Sequence, residues 1–270
     1  MYAALLKNEA RLEARPLGAY LGIALALFVT GVAMVLLRVP AVSSLGFLAA
    51  IAASILLAVG IPLHLLQRYY ATMYGRQGYL THAVPATHTT LYAVKFSWAL
   101  VVWLAALVLA AGLGLLTFIG QAIAAGGTAA DVWRALDDAF ATVPTATRVV
   151  MVAWLVIMLL ANIAQFGWIV SFGMEERFRA LGLGGPVVMW FVSYLVLQAL
   201  SMLAIVLIPV GVTTDLSQLV FASFIPELAA AVEGGDPSFI PLGWLVVLPL
   251  VLPVFAVLTL RSLRDHTSLR

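Results

Sequence analysis

The sequence predicts an all-α membrane protein with six transmembrane helices, and three observations lead there. Hydrophobic residues make up 64% of the chain and charged residues only 10%, with a mean hydropathy of +1.09, whereas a soluble domain is about half apolar. Six apolar runs (17–37, 45–66, 96–119, 149–171, 186–210 and 242–260) reach the ~20 residues a helix needs to cross a ~30 Å hydrocarbon core. The runs are continuous rather than alternating, which excludes a lipid-embedded barrel. One transmembrane domain over residues 1–270 is the expected organisation.

Charge sets the expected orientation. With both termini inside, eleven cations (Lys7, Arg11, Arg15, Arg68, Arg76, Lys95, Arg177, Arg179, Arg261, Arg264 and Arg270) lie inside, and three (Arg38, Arg134 and Arg148) lie outside. That positive-inside bias places the N- and C-termini in the cytoplasm. The cations are spread by topology rather than gathered into a nucleic-acid patch. Cysteine is absent, which removes disulfides and thiolate metal sites. The first apolar run starts after fifteen residues and is too long for a signal-peptide core, so it reads as a retained span.

Residues 1–16 read as a short interfacial helix on the inner surface, with Lys7, Arg11 and Arg15 in one stripe suited to anionic headgroups. A plain solvated flank stands beside that reading. Glu9 and Glu13 fall near the apolar face, and Pro16 is expected to re-aim the chain into span one. A tight outer turn at 38–44 leads to span two. The inner segment 67–95 follows, in which Tyr69, Tyr70, Met73 and Tyr74 form an aromatic face. Gly75 and Gly78 break it, and Thr87 to Thr90 can cap the helix of span three.

Between spans three and four, residues 129–140 form an amphipathic outer helix with Val132, Trp133, Leu136 and Phe140 on one side and Asp137 and Asp138 toward water; such helices usually seal the interface, and no chemistry is assigned to it. The inner segment 173–185 has an acidic-then-basic order, Glu175 and Glu176 before Arg177 and Arg179, that suits a short helix. In the outer segment 211–241, Thr213 or Thr214 can cap a helix to about Ile225, and Pro226 can start another to Val232. This makes a broken outer hairpin dipping into the leaflet, with a plain extracellular loop as the alternative.

Absences narrow the function. No Asp, Glu, Lys or Arg lies within the six runs as bounded above, which argues against a proton- or sodium-coupled carrier. Asn162, Gln165, Ser193 and Gln198 are the polar residues near mid-span. They suit interhelical hydrogen bonds or a substrate path, for which Asn162, Gln165 and Gln198 are the candidates. The histidines have no zinc-site spacing. Glu175-Glu176 with Arg179 superficially resembles the glutamate pair of CPBP-type intramembrane proteases, but the arginine is one residue early and the family's partner motifs are missing. Neither lysine follows a glycine, so there is no P-loop. No catalytic residue, metal ligand or cofactor site is expected, and the chain is not expected to be an enzyme.

Tyr69, Tyr70, Tyr74, Gly78, Tyr79, Leu80, Thr81, Pro85 and Lys95 form an aromatic-rich segment, then Gly-Tyr-Leu-Thr, then Pro, then Lys opening span three. In this pattern and in its whole topology the chain resembles bacterial permease subunits of ABC-2 type (type V) exporters. His82-Ala83-Val84 departs from the Thr-Leu-Pro of many relatives, and the outer segment between spans three and four is longer than the compact family minimum. The resemblance implies a half-transporter in the bacterial cytoplasmic membrane, paired with a second copy or a paralogue and driven by a separate ATPase that carries ATP and Mg. It implies that Arg68, Tyr69, Tyr70, Met73, Tyr74, Gly78, Tyr79, Leu80 and Pro85 couple to that ATPase. Glu175, Glu176, Arg177, Phe178 and Arg179 would make a second cytoplasmic contact, and spans two and five would line the path. An uncharged path suits a lipid, a hydrophobic drug or an amphipathic peptide. The tyrosines can equally form an interfacial belt, and a non-transporting scaffold or sensor subunit is the alternative function.

Overall fold

The structure, a computed structural model, describes residues 1–75, 77–214, 218–232 and 234–265. Arg76, and the side chain of Arg179, lie outside the described residues. Among those described, six helices are long and apolar enough to cross a membrane. The chain is a multi-pass, all-α membrane protein. Its internal packing divides it into two compact units, Met1–Ala141 and Thr142–Arg270.

The first unit contains α1 (Tyr2–Leu36), α2 (Pro40–Ile55), α3 (Ile61–Met73), α4 (Gly78–Ala83), α5 (His88–Ala124) and α6 (Ala129–Thr142, ending one residue into the second unit). The predicted break at Pro16 does not occur: residues 2–15 are the opening turns of α1, and Pro16 lies inside it. Proline removes the N–H that would bond the carbonyl four residues back. Here that carbonyl belongs to Leu12, which is exposed, so water or headgroups can satisfy it. Residues 1–16 are therefore not a separate interfacial helix.

A π-helical stretch, Leu56–Gly60, joins α2 to α3 within one span. Pro62 deprives the Ala58 carbonyl of its usual partner, and the Trp103 indole on α5 donates to that carbonyl at 3.3 Å. The core is built of small residues on three spans, with Ala24, Ala53, Ala106 and Ala110 around Leu57, Ile61 and Leu113; small side chains let helices in lipid approach closely. The closest approach is at Gly31 and Gly46, where a β-carbon on Gly31 would stand 2.5 Å from the Gly46 carbonyl oxygen and 2.6 Å from the Ala50 nitrogen.

The second unit contains α7 (Thr145–Gly173), α8 (Gly184–Leu207), α9 (Phe224–Val232) and α10 (Val247–Asp265), with short 3-10 turns at Glu176–Leu181 and Gly243–Val246. Trp168 packs against Phe255, and Trp154 against Trp244, with ring centroids 5.2 and 4.9 Å apart. The outer segment departs from the predicted pair of helices. Among the described residues only the second helix forms, as α9. In place of the first, β1 (Gly211–Thr213) pairs antiparallel with β2 (Leu219–Val220) and with β3 (Phe239–Pro241). Val212, Thr213, Phe239 and Ile240 are residue types that suit a pleated strand, and the Phe239 ring covers Gly211, where a β-carbon would collide with it. Thr213 is no helix cap: its hydroxyl accepts from the Gln218 N–H at 3.2 Å. Asp215 and Leu216, part of the expected first helix, lie outside the described residues.

Candidate functional site

At the end of the first unit that carries Tyr2, α1, α3 and α5 run on beyond their apolar stretches and are joined by buried charges. Glu13, only 1% exposed, accepts from Arg68 Nε at 2.6 Å and lies 2.7 Å from His64 Nε2. Glu9 accepts from Lys95 Nζ at 2.6 Å, and Lys95 also donates to Thr72 Oγ1 at 2.9 Å. Thr72 in turn donates to the Arg68 carbonyl at 2.7 Å. Tyr20 packs on the His64 ring, centroids 5.3 Å apart, and the Tyr2 hydroxyl bonds Ser97. A buried carboxylate is tolerated only when paired and hydrogen-bonded, and Glu13 has both. This explains the imperfect amphipathicity of residues 1–16. Glu9 and Glu13 turn inward onto α3 and α5, while Lys7, Arg11 and Arg15 remain exposed.

This base presents α4. The chain turns after α3 through Gly75, whose N–H bonds the Tyr70 carbonyl at 3.0 Å, and α4 opens at buried Gly78. His82 Nε2 lies 3.2 Å from the Met73 carbonyl oxygen and ties α4 to α3. Thr87 then caps α5 by accepting from the Thr90 N–H at 3.2 Å, as the sequence predicts. Burial pushes His82 below its ordinary pKa, and the His88 ring, 5.9 Å away, pushes the same way against the opposing Met73 bond.

The predicted coupling residues separate into two groups. Tyr69 and Met73 are buried, Tyr70 and Tyr74 half-buried, and Arg68 is engaged by Glu13. The Tyr69 and Tyr74 rings pack at 6.4 Å, so the aromatic face of α3 mostly faces the protein and offers little surface for a partner. Tyr79 and Leu80, at 72% and 68% exposure, project outward, and Pro85 is exposed beside them. Glu9, Glu13, His64 and Thr72 were not singled out as site residues in the sequence; two carboxylates on the otherwise apolar side of residues 1–16 were the available signal.

In the second unit, Glu175 is buried and accepts from Arg177 Nε at 2.9 Å. The Arg177 guanidinium lies 4.4 Å from the Phe172 ring centroid, and Phe178 packs on Phe172. Among the described side chains of the predicted contact, Glu176 and Arg177 are exposed, Phe178 is half-buried and Glu175 is buried. The predicted path residues are placed differently from one another. Gln165 donates to Ser193 Oγ at 2.9 Å, Asn162 donates to the Met158 carbonyl of its own helix at 2.8 Å, and Gln198 faces outward on α8. Among the described residues no group of three or more His, Asp or Glu is placed to hold a metal.

No protein-family model, curated protein or solved structure matches the chain.

Proposed function

We propose that this chain is the permease subunit of an ATP-driven exporter of the ABC-2 type in a bacterial cytoplasmic membrane, its termini cytoplasmic. A separate ATPase subunit binds ATP and Mg and performs the hydrolysis, and a second copy or a paralogue completes the transporter. The observation that carries this reading is α4, a short helix that exposes Tyr79 and Leu80 on a base made rigid by buried ion pairs. Tyrosine is enriched at binding hot spots, and Leu80 adds exposed apolar area beside Tyr79.

The mechanism follows from the connections. Closure of the ATPase displaces α4. The His82–Met73 bond passes the displacement to α3, and the Glu13–Arg68 and Glu9–Lys95 pairs oblige α1 and α5 to move with it. The three helices then tilt as one body. The uncharged apolar runs favour a lipid, a hydrophobic drug or an amphipathic peptide over an ion or a sugar. Gentle-detergent purification from the native host, followed by mass spectrometry and ATPase assay, tests the proposal. A stoichiometric P-loop ATPase whose activity depends on this chain is the expected result. Recovery without an ATPase, even after cross-linking, replaces it with the scaffold reading.

A further inference from the structure

Helix α6 has no buried residue, and no other element packs substantially on it among the described residues. Its faces are nonetheless sharply divided. Val132, Trp133, Leu136 and Phe140 fall on one side at helical spacing, with Trp133 and Phe140 51% and 58% exposed. Asp131, Arg134, Asp137 and Asp138 occupy the other. The polar face is internally ordered: Asp131 accepts from the Thr128 N–H at 2.7 Å and from Arg134 Nη2 at 2.6 Å. The two Thr128 hydrogen bonds hold the Asp131 carboxyl below its ordinary pKa, so it stays charged.

The chain confines this helix to the membrane surface. Three crossings (α1, α2 with α3, and α5) separate it from Tyr2, which puts it on the opposite face of the bilayer. Residues 125–128 tether it to α5 and residues 143–144 to α7, reaching at most roughly 14 Å and 7 Å. Gly126, with φ of +90°, turns the chain away from the axis of α5. The last turns of α5, which precede α6 in the chain, expose Phe118 and Ile123, a surface suited to lipid.

We propose that α6 is an interfacial helix whose occupant is zwitterionic lipid, with Val132, Trp133, Leu136 and Phe140 inserted at the acyl boundary and the acidic face in water. Apolar area alone holds it there. Three aspartates against one arginine repel anionic headgroups, unlike the basic helices that seek them.

The absence of cysteine makes every introduced thiol unique, so the full chain can be spin-labelled at single sites and reconstituted in phosphatidylcholine vesicles. The sites are Trp133→Cys, Leu136→Cys and Phe140→Cys against Arg134→Cys, Asp137→Cys and Asp138→Cys. Oxygen, which concentrates in lipid, is expected to relax the first set several-fold more than a water-soluble nickel chelate does, with the order reversed in the second. Equal nickel access on both faces would place the helix in water and overturn the proposal. Shielding of the first set from both reagents would put protein there, including a second copy, and overturn it too. Replacing part of the lipid with phosphatidylglycerol is expected to leave the depth unchanged or shallower; deeper insertion would contradict the assigned lipid class.

Discussion

The two units have the same raw material and use it differently. Among the described residues each has three helices long and apolar enough to cross a membrane; those of the first unit run 35, 34 and 37 residues, whereas α7 and α8 of the second run 29 and 24. At ~1.5 Å per residue, the first set exceeds a ~30 Å hydrocarbon core by about 20–25 Å, and α7 and α8 of the second by about 5–15 Å. What permits the excess is the placement of charge. In the first unit, carboxylates on α1 meet cations on α3 and α5, 55 and 86 residues distant in sequence. In the second, Glu175 pairs with Arg177, two residues apart, and this pair closes a turn. Apolar packing holds each unit together, and among the described residues the first adds ion pairs that join α1 to α3 and to α5.

The largest effect is expected where α1 and α2 approach each other most closely. Gly31→Leu forces α1 from α2 at the Gly46 contact and should abolish recovery of monodisperse protein. Gly18→Leu, on the same helix with nothing within 4 Å of its β-carbon, should not. Size-exclusion profiles of the two variants decide whether that contact holds the first unit.

The contrast in charge comes next. Glu13→Ala strands Arg68 and His64 and is expected to cost about 3–5 kcal/mol, as for one partner of a buried pair. Glu175→Ala leaves Arg177 near solvent and should cost about 1–2 kcal/mol. Thermal midpoints in one detergent compare them, and equal shifts would remove the distinction between the units.

Tyr79→Ala combined with Leu80→Ala should leave the midpoint unchanged, because both side chains are exposed. It should reduce ATPase co-purification at least about tenfold, the loss expected at a hot spot.

A smaller effect comes from His82, whose folded pKa lies below the ordinary 6.5. Its contribution to the attachment of α4 is therefore complete above pH 6.5 and is lost as the pH falls through the lower folded value. Hydrogen exchange in α4, corrected for intrinsic rates, should rise on acidification, and His82→Asn should flatten the dependence. Arg134→Ala, which breaks an exposed pair on α6, should change no midpoint.

The spans, the Thr87 cap and α6 were legible in the sequence because each depends on neighbours within one helix. The ion pairs at the base were not. Periodicity registered Glu9 and Glu13 as defects on an apolar face, and their partners lie on other helices. Tyr69 and Met73 appeared as a docking face for the same reason, since an aromatic stripe looks identical whether it faces a partner or the protein. The continuity of α1 through Pro16 is not legible in the sequence, because it depends on whether the orphaned carbonyl, that of Leu12, lies at an exposed position. The strand at Gly211–Thr213 was missed because its pairing partner Phe239–Pro241 lies beyond the intervening helix.

The most direct test of the central claim uses the single thiol of Tyr79→Cys. A photoactivatable cross-linker attached there in native membranes, followed by mass spectrometry of the adduct, reports what α4 touches. The account predicts a P-loop ATPase joined at residue 79 and absent when the linker is moved to Gly18→Cys. Adducts only with lipid, with this chain itself, or with a protein lacking an ATPase domain would contradict it.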